Sequence, residues 1–139
     1  MTQIYFYSGA IDKLHTACRL SAKAVQQDLK VIIYSLDDAL LDRMDKLLWA
    51  FSPTSFVPHS LINSDMADVV PIILGREITQ AMHCGVLLNL DDECPPGLDH
   101  FDRIIEIADV TVEDKKAARA RYRHYQAQGL EVNHFKLEN

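Results

Sequence analysis

Three basic residues recur at intervals of four near the end of the chain, at Lys115, Arg119 and Arg123. At about 100° per residue, this spacing places them in one stripe along a helix. Ala118 and Tyr122 fall on the neighbouring face, so Tyr122 lies between the apolar side and the charged side. Such a stripe can hold carboxylates by charge-assisted hydrogen bonds. A solvated helix face shows the same pattern, so the stripe alone identifies no function.

A second group of residues is aromatic and lies in "WAFSPTSFVPH", residues 49–59. Its two prolines prevent a regular helix across the segment, which is therefore expected to be a loop. Trp49, Phe51 and Phe56 give this loop more aromatic surface than a simple connection needs. These rings could pack into the core, as most aromatic side chains do, or line a binding surface.

Groups that could support catalysis are few. Asp91, Asp92 and Glu93 follow a predicted strand and could hold Mg²⁺, although a solvated loop has the same composition. His59 is the best candidate for a general base, yet nothing in the sequence places a substrate or an orienting acid beside it. A small α/β enzyme that uses a strand-end crevice near Asp91 and His59 is the alternative function, and we expect no catalytic site.

Cofactor and metal sites also lack a sequence signal. The first predicted strand leads into "SGAIDK", in which Gly9 stands alone. A dinucleotide site would need three spaced glycines and a P-loop would need Gly-Lys-Ser/Thr. Cysteine and histidine residues occur without the paired spacing of a zinc site. We therefore expect neither a cofactor nor a bound metal.

Composition limits the class of protein further. The 139 residues are expected to form one domain, and 48% hydrophobic with 24% charged residues is typical of a folded globular protein. The net charge of -6 argues against strong direct binding of nucleic acid. No apolar run is long enough for a membrane span, the N-terminus lacks a signal-peptide pattern, and the three scattered cysteines favour reduced thiols. A cytoplasmic location is expected.

Hydrophobic periodicity alternates between strands and helices along the chain. Strands are predicted at residues 4–8, 31–35, 69–74 and 85–90, and a last one after Gly129. Helices are predicted after Gly9, with Ile11 on the apolar face, after Asp37 or Asp38, and over residues 113–129, with Gly129 as the C-terminal cap. The segment between the strands 69–74 and 85–90 could hold a short helix, whereas residues 101–110 fit either state. This order predicts a single three-layer α/β domain, Rossmann-like, with a mostly parallel central sheet and helices on both faces.

Several segments, in order over nearly the whole chain, resemble the chi subunit family of bacterial DNA polymerase III holoenzyme. They are "MDKLLWAFSPTSFVPH", "PIIL", "VLLNL", "FDRIIEIAD" and "ARARYRHYQAQG". The most specific parts are Leu48-Trp49 followed by "SFVPH", and the run from Ala118 to Gly129. One departure is Asp28, at a place where the family often has Gly before the second strand. Asp tolerates the left-handed conformation, so the same turn is expected.

The resemblance implies a non-catalytic adaptor of the clamp-loader complex in DNA replication. It implies a heterodimer with the psi subunit and binding of the acidic C-terminal tail of single-stranded-DNA-binding protein, with DNA contacted only indirectly and no membrane. An acidic tail with Pro and Phe requires cations around an apolar pocket. The family's tail pocket falls on Trp49, Phe56, Arg119, Tyr122 and Arg123, so the aromatic loop would form walls opposite the helix. The psi surface is expected to be an apolar patch remote from that pocket.

Overall fold

The computed structural model describes residues 2–50, 59–61, 71–76 and 85–137. Within these residues it contains three α-helices, α1 (Lys13–Gln26), α2 (Asp38–Ala50) and α3 (Val112–Ala127), and a short 3₁₀ turn at Leu98–His100. The seven strands are β1 (Gln3–Ala10), β2 (Val31–Tyr34), β3 (His59–Leu61), β4 (Ile72–Gly75), β5 (Val86–Asn89), β6 (Arg103–Asp109) and β7 (Glu131–Lys136).

All seven strands belong to one parallel sheet, in the order β3-β4-β2-β5-β6-β1-β7. A parallel neighbour can be reached only by a crossover, and three of the connections between strands contain the α-helices. Helix α1 connects β1 to β2, α2 lies between β2 and β3 in the chain, and α3 connects β6 to β7 across β1. The α/β fold class predicted from the sequence is confirmed.

The two faces of the sheet carry separate cores. Val31, Ile33 and Leu88 point to one face, where they pack with α1 and α2. Ile32 and Leu87, which alternate with them, point to the other face and pack with α3. Successive strand residues point to opposite faces, so strands buried on both faces must be apolar throughout. The short runs "VIIY" and "VLLN" satisfy this requirement except at Tyr34 and Asn89, which lie at strand ends.

The helix ends follow the chemistry that the sequence predicts. Asp12 caps α1 by accepting a hydrogen bond from the His15 N–H, and Thr111 caps α3 in the same way. Two residues past the last residue of each helix the backbone is left-handed, at Asp28 after α1 with φ 61° and at Gly129 after α3 with φ 77°. Both helix ends have the paired hydrogen bonds of a Schellman motif. At the end of α3, one of this pair is donated by the Leu130 N–H to the Tyr125 carbonyl oxygen. The left-handed turn expected at Asp28 and the C-terminal cap at Gly129 are confirmed.

Other expectations needed correction or fall outside the described residues. The ambiguous segment 101–110 forms strand β6, preceded by the 3₁₀ turn. Strand β3 was not predicted, because its three residues are too few to show a period. Ile11, expected on the apolar face of the first helix, precedes α1 and is 70% exposed. Residues 77–84, where a short helix was considered, lie outside the described residues. Among the helices that the structure describes, none is both long and apolar enough to span a membrane.

Candidate binding site on helix α3

The start of helix α3 is held at the carboxyl edge of the sheet, where ligands of α/β proteins usually bind. Asp114 lies in the first turn and accepts hydrogen bonds from the Asp109 N–H at 2.8 Å and from Lys13 Nζ at 2.9 Å. Burial alone would raise the pKa of Asp114, but these two hydrogen bonds and the Lys13 charge outweigh burial and lower it. Because Lys13 begins α1, this ion pair joins the starts of two helices.

A buried polar network holds the inner side of α3 against the sheet. Arg121, only 2% exposed, donates from Nε to Glu106 Oε1 of β6 at 2.9 Å. Tyr125 and Asn89 donate to the other Glu106 oxygen. Arg121 also donates to the backbone oxygen of Asp92 at 3.0 Å. These contacts satisfy both charges away from water, and they fix the rotation of α3 about its own axis.

Burial has the largest effect on the pKa values of the Glu106 and Tyr125 side chains in this network. It raises the pKa of Glu106, while the Arg121 charge and the hydrogen bonds from Tyr125 and Asn89 oppose the rise. Burial, together with the neighbouring Glu106 charge, raises the pKa of Tyr125, which therefore remains a neutral donor. With Arg121 directed inward, the outer side of α3 carries Lys115, Arg119 and Arg123, and all three are exposed.

A cavity of about 300 Å³ lies between the outer half of α3 and the sheet. We call it the α3 pocket. Its lining residues are Phe6, Ser8, Ala108, Lys115, Ala118, Arg119, Tyr122 and His134. The rings of Phe6 and Tyr122 lie 5.5 Å apart between centroids and form an aromatic wall. The Ser8 hydroxyl and His134 Nε2 form a hydrogen bond of 2.7 Å at one side.

The α3 pocket combines an apolar interior with a cationic rim. Phe6, Tyr122 and the two alanines can enclose an apolar side chain, and the volume is sufficient for one aromatic ring. Lys115 and Arg119 are exposed at the rim, and the lining contains neither Asp nor Glu. An occupant with an aromatic group beside one or more carboxylates would match both features.

Residues 1–133 match the family model described as DNA polymerase III chi subunit, HolC. The chain belongs to this family. The DNA polymerase III subunit chi of Pseudomonas aeruginosa is 32% identical over 141 residues, covering 99% of this chain and 98% of that protein. The chi subunit of Haemophilus influenzae is 32% identical over 120 residues, covering 84% and 82%. That of Escherichia coli is 25% identical over 126 residues, covering 90% and 84%.

The five residues that the family resemblance suggested for a tail pocket do not all come together. Arg119 and Tyr122 line the α3 pocket. Arg123 is exposed one turn further along α3 and is not part of the lining. Phe56 lies outside the described residues. Trp49 is described, and it lies elsewhere in the molecule.

Trp49 is at the end of α2, on the face of the sheet opposite to α3. Its ring is 59% exposed and contacts the imidazole of His59 on β3, with 5.2 Å between centroids. Strand β3 forms one edge of the sheet, four strand positions from β6 and six from β7. At about 4.8 Å per strand, the sheet alone separates Trp49 from the α3 pocket by roughly 20 Å. The expectation that the loop and α3 wall one pocket is therefore wrong for Trp49.

The alternative of a catalytic crevice near Asp91 and His59 is also contradicted by the geometry. His59 begins β3, in line with the amino-terminal ends of β4, β2 and β5, and its Nε2 lies 3.1 Å from Asp45 Oδ1. Asp91 follows the carboxyl end of β5, where it accepts a hydrogen bond from the Leu36 N–H at 3.1 Å. In a parallel sheet these ends are opposite edges, so the two side chains are roughly 20 Å apart.

Several residues of the site were not predicted. Phe6, Ser8 and His134 reach the α3 pocket from β1 and β7, and the pairing of these strands joins residues more than 120 positions apart. Glu106 did give a signal, because it is the one acid in the apolar interior of the strand "RIIEIAD", away from the strand's ends. An acid at such a position requires a buried partner, and Arg121 shares a helix face with Ala118 and Tyr125.

Proposed function

We propose that this chain is a non-catalytic accessory subunit of DNA polymerase III that pairs with a psi subunit and binds the acidic C-terminal tail of single-stranded-DNA-binding protein. Family membership supports an accessory role in replication. The observation that carries the tail proposal is the α3 pocket, where Lys115 and Arg119 stand above an aromatic interior. At the α3 pocket, contact with DNA is then indirect, through the tail-bearing partner.

The tail occupies the α3 pocket with its terminal aromatic ring against the wall formed by Phe6 and Tyr122. Its carboxylates meet Lys115 and Arg119 at the rim, where charge-assisted hydrogen bonds are strongest if the apolar ring excludes water. Arg123, one turn further along the helix, meets acidic residues that precede the end of the tail. Charge complementarity explains how a chain of net charge -6 can bind an acidic segment, since the cations are concentrated on one helix face.

Trp49 belongs to a different surface, which we assign to the psi subunit. An exposed Trp is the residue type most often found at the centre of a protein interface. Its position across the sheet from the α3 pocket allows an adaptor to hold both partners at once. Phe56 follows in the same segment and remains a predicted binding residue.

An adaptor role also fits the state of the buried charges. Glu106 and Arg121 are both almost fully buried, and each is hydrogen-bonded within the protein. Such a pair holds α3 in place, whereas a general acid or base must reach its substrate. The pair therefore serves structure rather than turnover.

The test is a titration of a fluorescent peptide with several acidic residues and a C-terminal Pro-Phe against the full chain. We expect saturable one-to-one binding that weakens as salt rises, since the rim contacts are ionic. The matched control is the same peptide with its terminal Phe replaced by Ala, which should bind much more weakly. Equal binding of the two peptides, or none of either, would contradict the tail proposal. Copurification with psi is a separate test of the second partner.

A further inference from the structure

Strands β1 and β7 carry aromatic residues on the face opposite to the α3 pocket. Helix α1 packs over β2, β5 and β6 on that face. Over β1 and β7 the covering groups are the rings of Tyr5, Tyr7 and Phe135. These positions alternate with Phe6, Ser8 and His134, which line the α3 pocket. The same two strands thus supply two different surfaces.

The aromatic residues form a platform with planar groups at the surface. Phe135 stacks on Tyr7, with 5.1 Å between centroids and 22° between planes, and meets Tyr5 edge-on at 5.8 Å. The Arg103 guanidinium lies over the Tyr5 ring, 4.6 Å from its centroid. Phe135 is 44% exposed, so the outermost ring of the stack remains accessible to solvent. A planar ligand could extend the stack there.

A groove of about 280 Å³ runs between this platform and α1. We call it the aromatic groove. Its lining residues are Tyr5, Tyr7, Leu20, Lys23, Ala24, Gln27, Arg103, Ile105 and Phe135. Two of them are cations and none is an acid. Glu131 lies on the same face but at the start of β7, paired with Gln3 rather than with the aromatic positions. The groove therefore favours an anionic ligand.

We propose that the aromatic groove binds single-stranded nucleic acid, with a base stacked at Phe135 and phosphates at Arg103 and Lys23. Sheet faces that present aromatic rings beside cations bind single strands in this way, because every base offers a planar face and every nucleotide a negative charge. An acidic peptide would use the cations but would not require a planar ring. The near-parallel Phe135–Tyr7 stack favours bases over a peptide.

The overall charge of -6 makes this a weak site in the isolated chain. Two phosphate contacts to a single strand correspond to a salt slope of about -1.4, so affinity should fall about sevenfold between about 50 and about 200 mM salt. In an assembly that already holds single-stranded DNA nearby, a high effective concentration would make even a weak site useful. The proposal does not depend on binding of an acidic tail at α3.

The experiment measures fluorescence anisotropy of a labelled oligothymidine of about 20 nucleotides with the full chain alone. Phe135→Leu keeps an apolar cover and removes the planar ring, so we expect at least about fivefold weaker binding. Phe135→Tyr restores a planar ring and should bind within about twofold of the wild type. If Phe135 only supported the fold, the two variants would not differ in affinity for the oligonucleotide in this order. Thermal melts establish that both variants remain folded.

The charge contacts are tested with Arg103→Ala and a matched control. Arg103→Ala should reduce the salt slope to about half, while Arg43→Ala, which removes the same charge from the exposed face of α2, should leave it unchanged. The proposal is overturned if the wild type shows no salt-dependent binding, if the Leu and Tyr variants bind equally, or if Arg43→Ala matches Arg103→Ala. It is also overturned if the groove variants weaken binding of an acidic peptide and not of the oligonucleotide.

Discussion

The α3 pocket and the Trp49 end of α2 lie on opposite faces of one sheet and differ in chemistry. At the α3 pocket, Lys115 and Arg119 surround an aromatic interior. At the end of α2, an exposed indole lies against His59. The first surface depends on charge, whereas the second offers mainly apolar area. Two partners of different character could therefore occupy the chain together, one bound in a salt-dependent manner and the other not.

The packing of α3 against the sheet should be the feature whose disruption lowers the free energy of unfolding most. Arg121→Ala leaves Glu106 buried without its counter-charge, so we expect a loss of about 3–5 kcal/mol in the free energy of unfolding. Urea denaturation measures the loss. The control is Arg119→Ala, the same change two residues away on the exposed side, which should alter stability by less than about 0.5 kcal/mol. Similar losses for the two variants would show that the buried network does not hold the helix.

Trp49→Ala should separate the two surfaces by partner. We expect affinity for psi to fall by at least about 30-fold, equivalent to about 2 kcal/mol, because an exposed Trp at an interface centre is a typical hot spot. Tail-peptide affinity should stay unchanged, since the residue lies across the sheet. Titration calorimetry with psi and with the peptide gives both values. Ile11→Ala, another exposed apolar residue, serves as the control. If Trp49→Ala also lost peptide binding, Trp49 would belong to the tail-binding site and the two surfaces would not be separate.

Arg119→Ala should weaken tail-peptide binding by roughly tenfold, the loss of one charge-assisted contact of about 1.4 kcal/mol. Arg123→Ala, one turn further along and outside the pocket lining, should weaken it by about two- to threefold. Peptide titrations at low and high salt measure both effects, and the difference between the variants should shrink as salt rises. If Arg123→Ala has the larger effect, the peptide lies outside the pocket along the helix.

Asp114→Asn should have the smallest effect, about 1 kcal/mol of stability at neutral pH. The pKa of Asp114 is lowered in the folded chain, so its stabilisation is complete above the unfolded-state pKa near 3.8 and is lost as pH falls through the lower folded value. Denaturation of wild type and variant from neutral to acid pH should show the two curves converging below about pH 4. Asp42→Asn removes an exposed pair with Lys46 and should show almost no such dependence. Parallel curves for Asp114→Asn would exclude a role for its charge.

The sequence by itself determined the features that depend on neighbours along the chain. The three helices, the strands other than β3 and β6, the stops at Asp28 and Gly129, and the stripe of Lys115, Arg119 and Arg123 were predicted. Helix periodicity repeats within four residues and a left-handed turn depends on one residue, so both can be recognised in a short window. Tyr122 at the border of core and charge followed from the same periodicity.

Only the tertiary structure decided which of these local features meet. The order of the strands placed Trp49 and α3 at different edges and on different faces, although both carry motifs of one family. Pairing of β1 with β7 brought His134 beside Ser8, and packing of α3 on β6 turned Arg121 inward to Glu106 while Arg119 stayed exposed. These contacts join residues distant in the chain. Strand order and register arise from the packing of the whole core, and no short window of sequence contains that information.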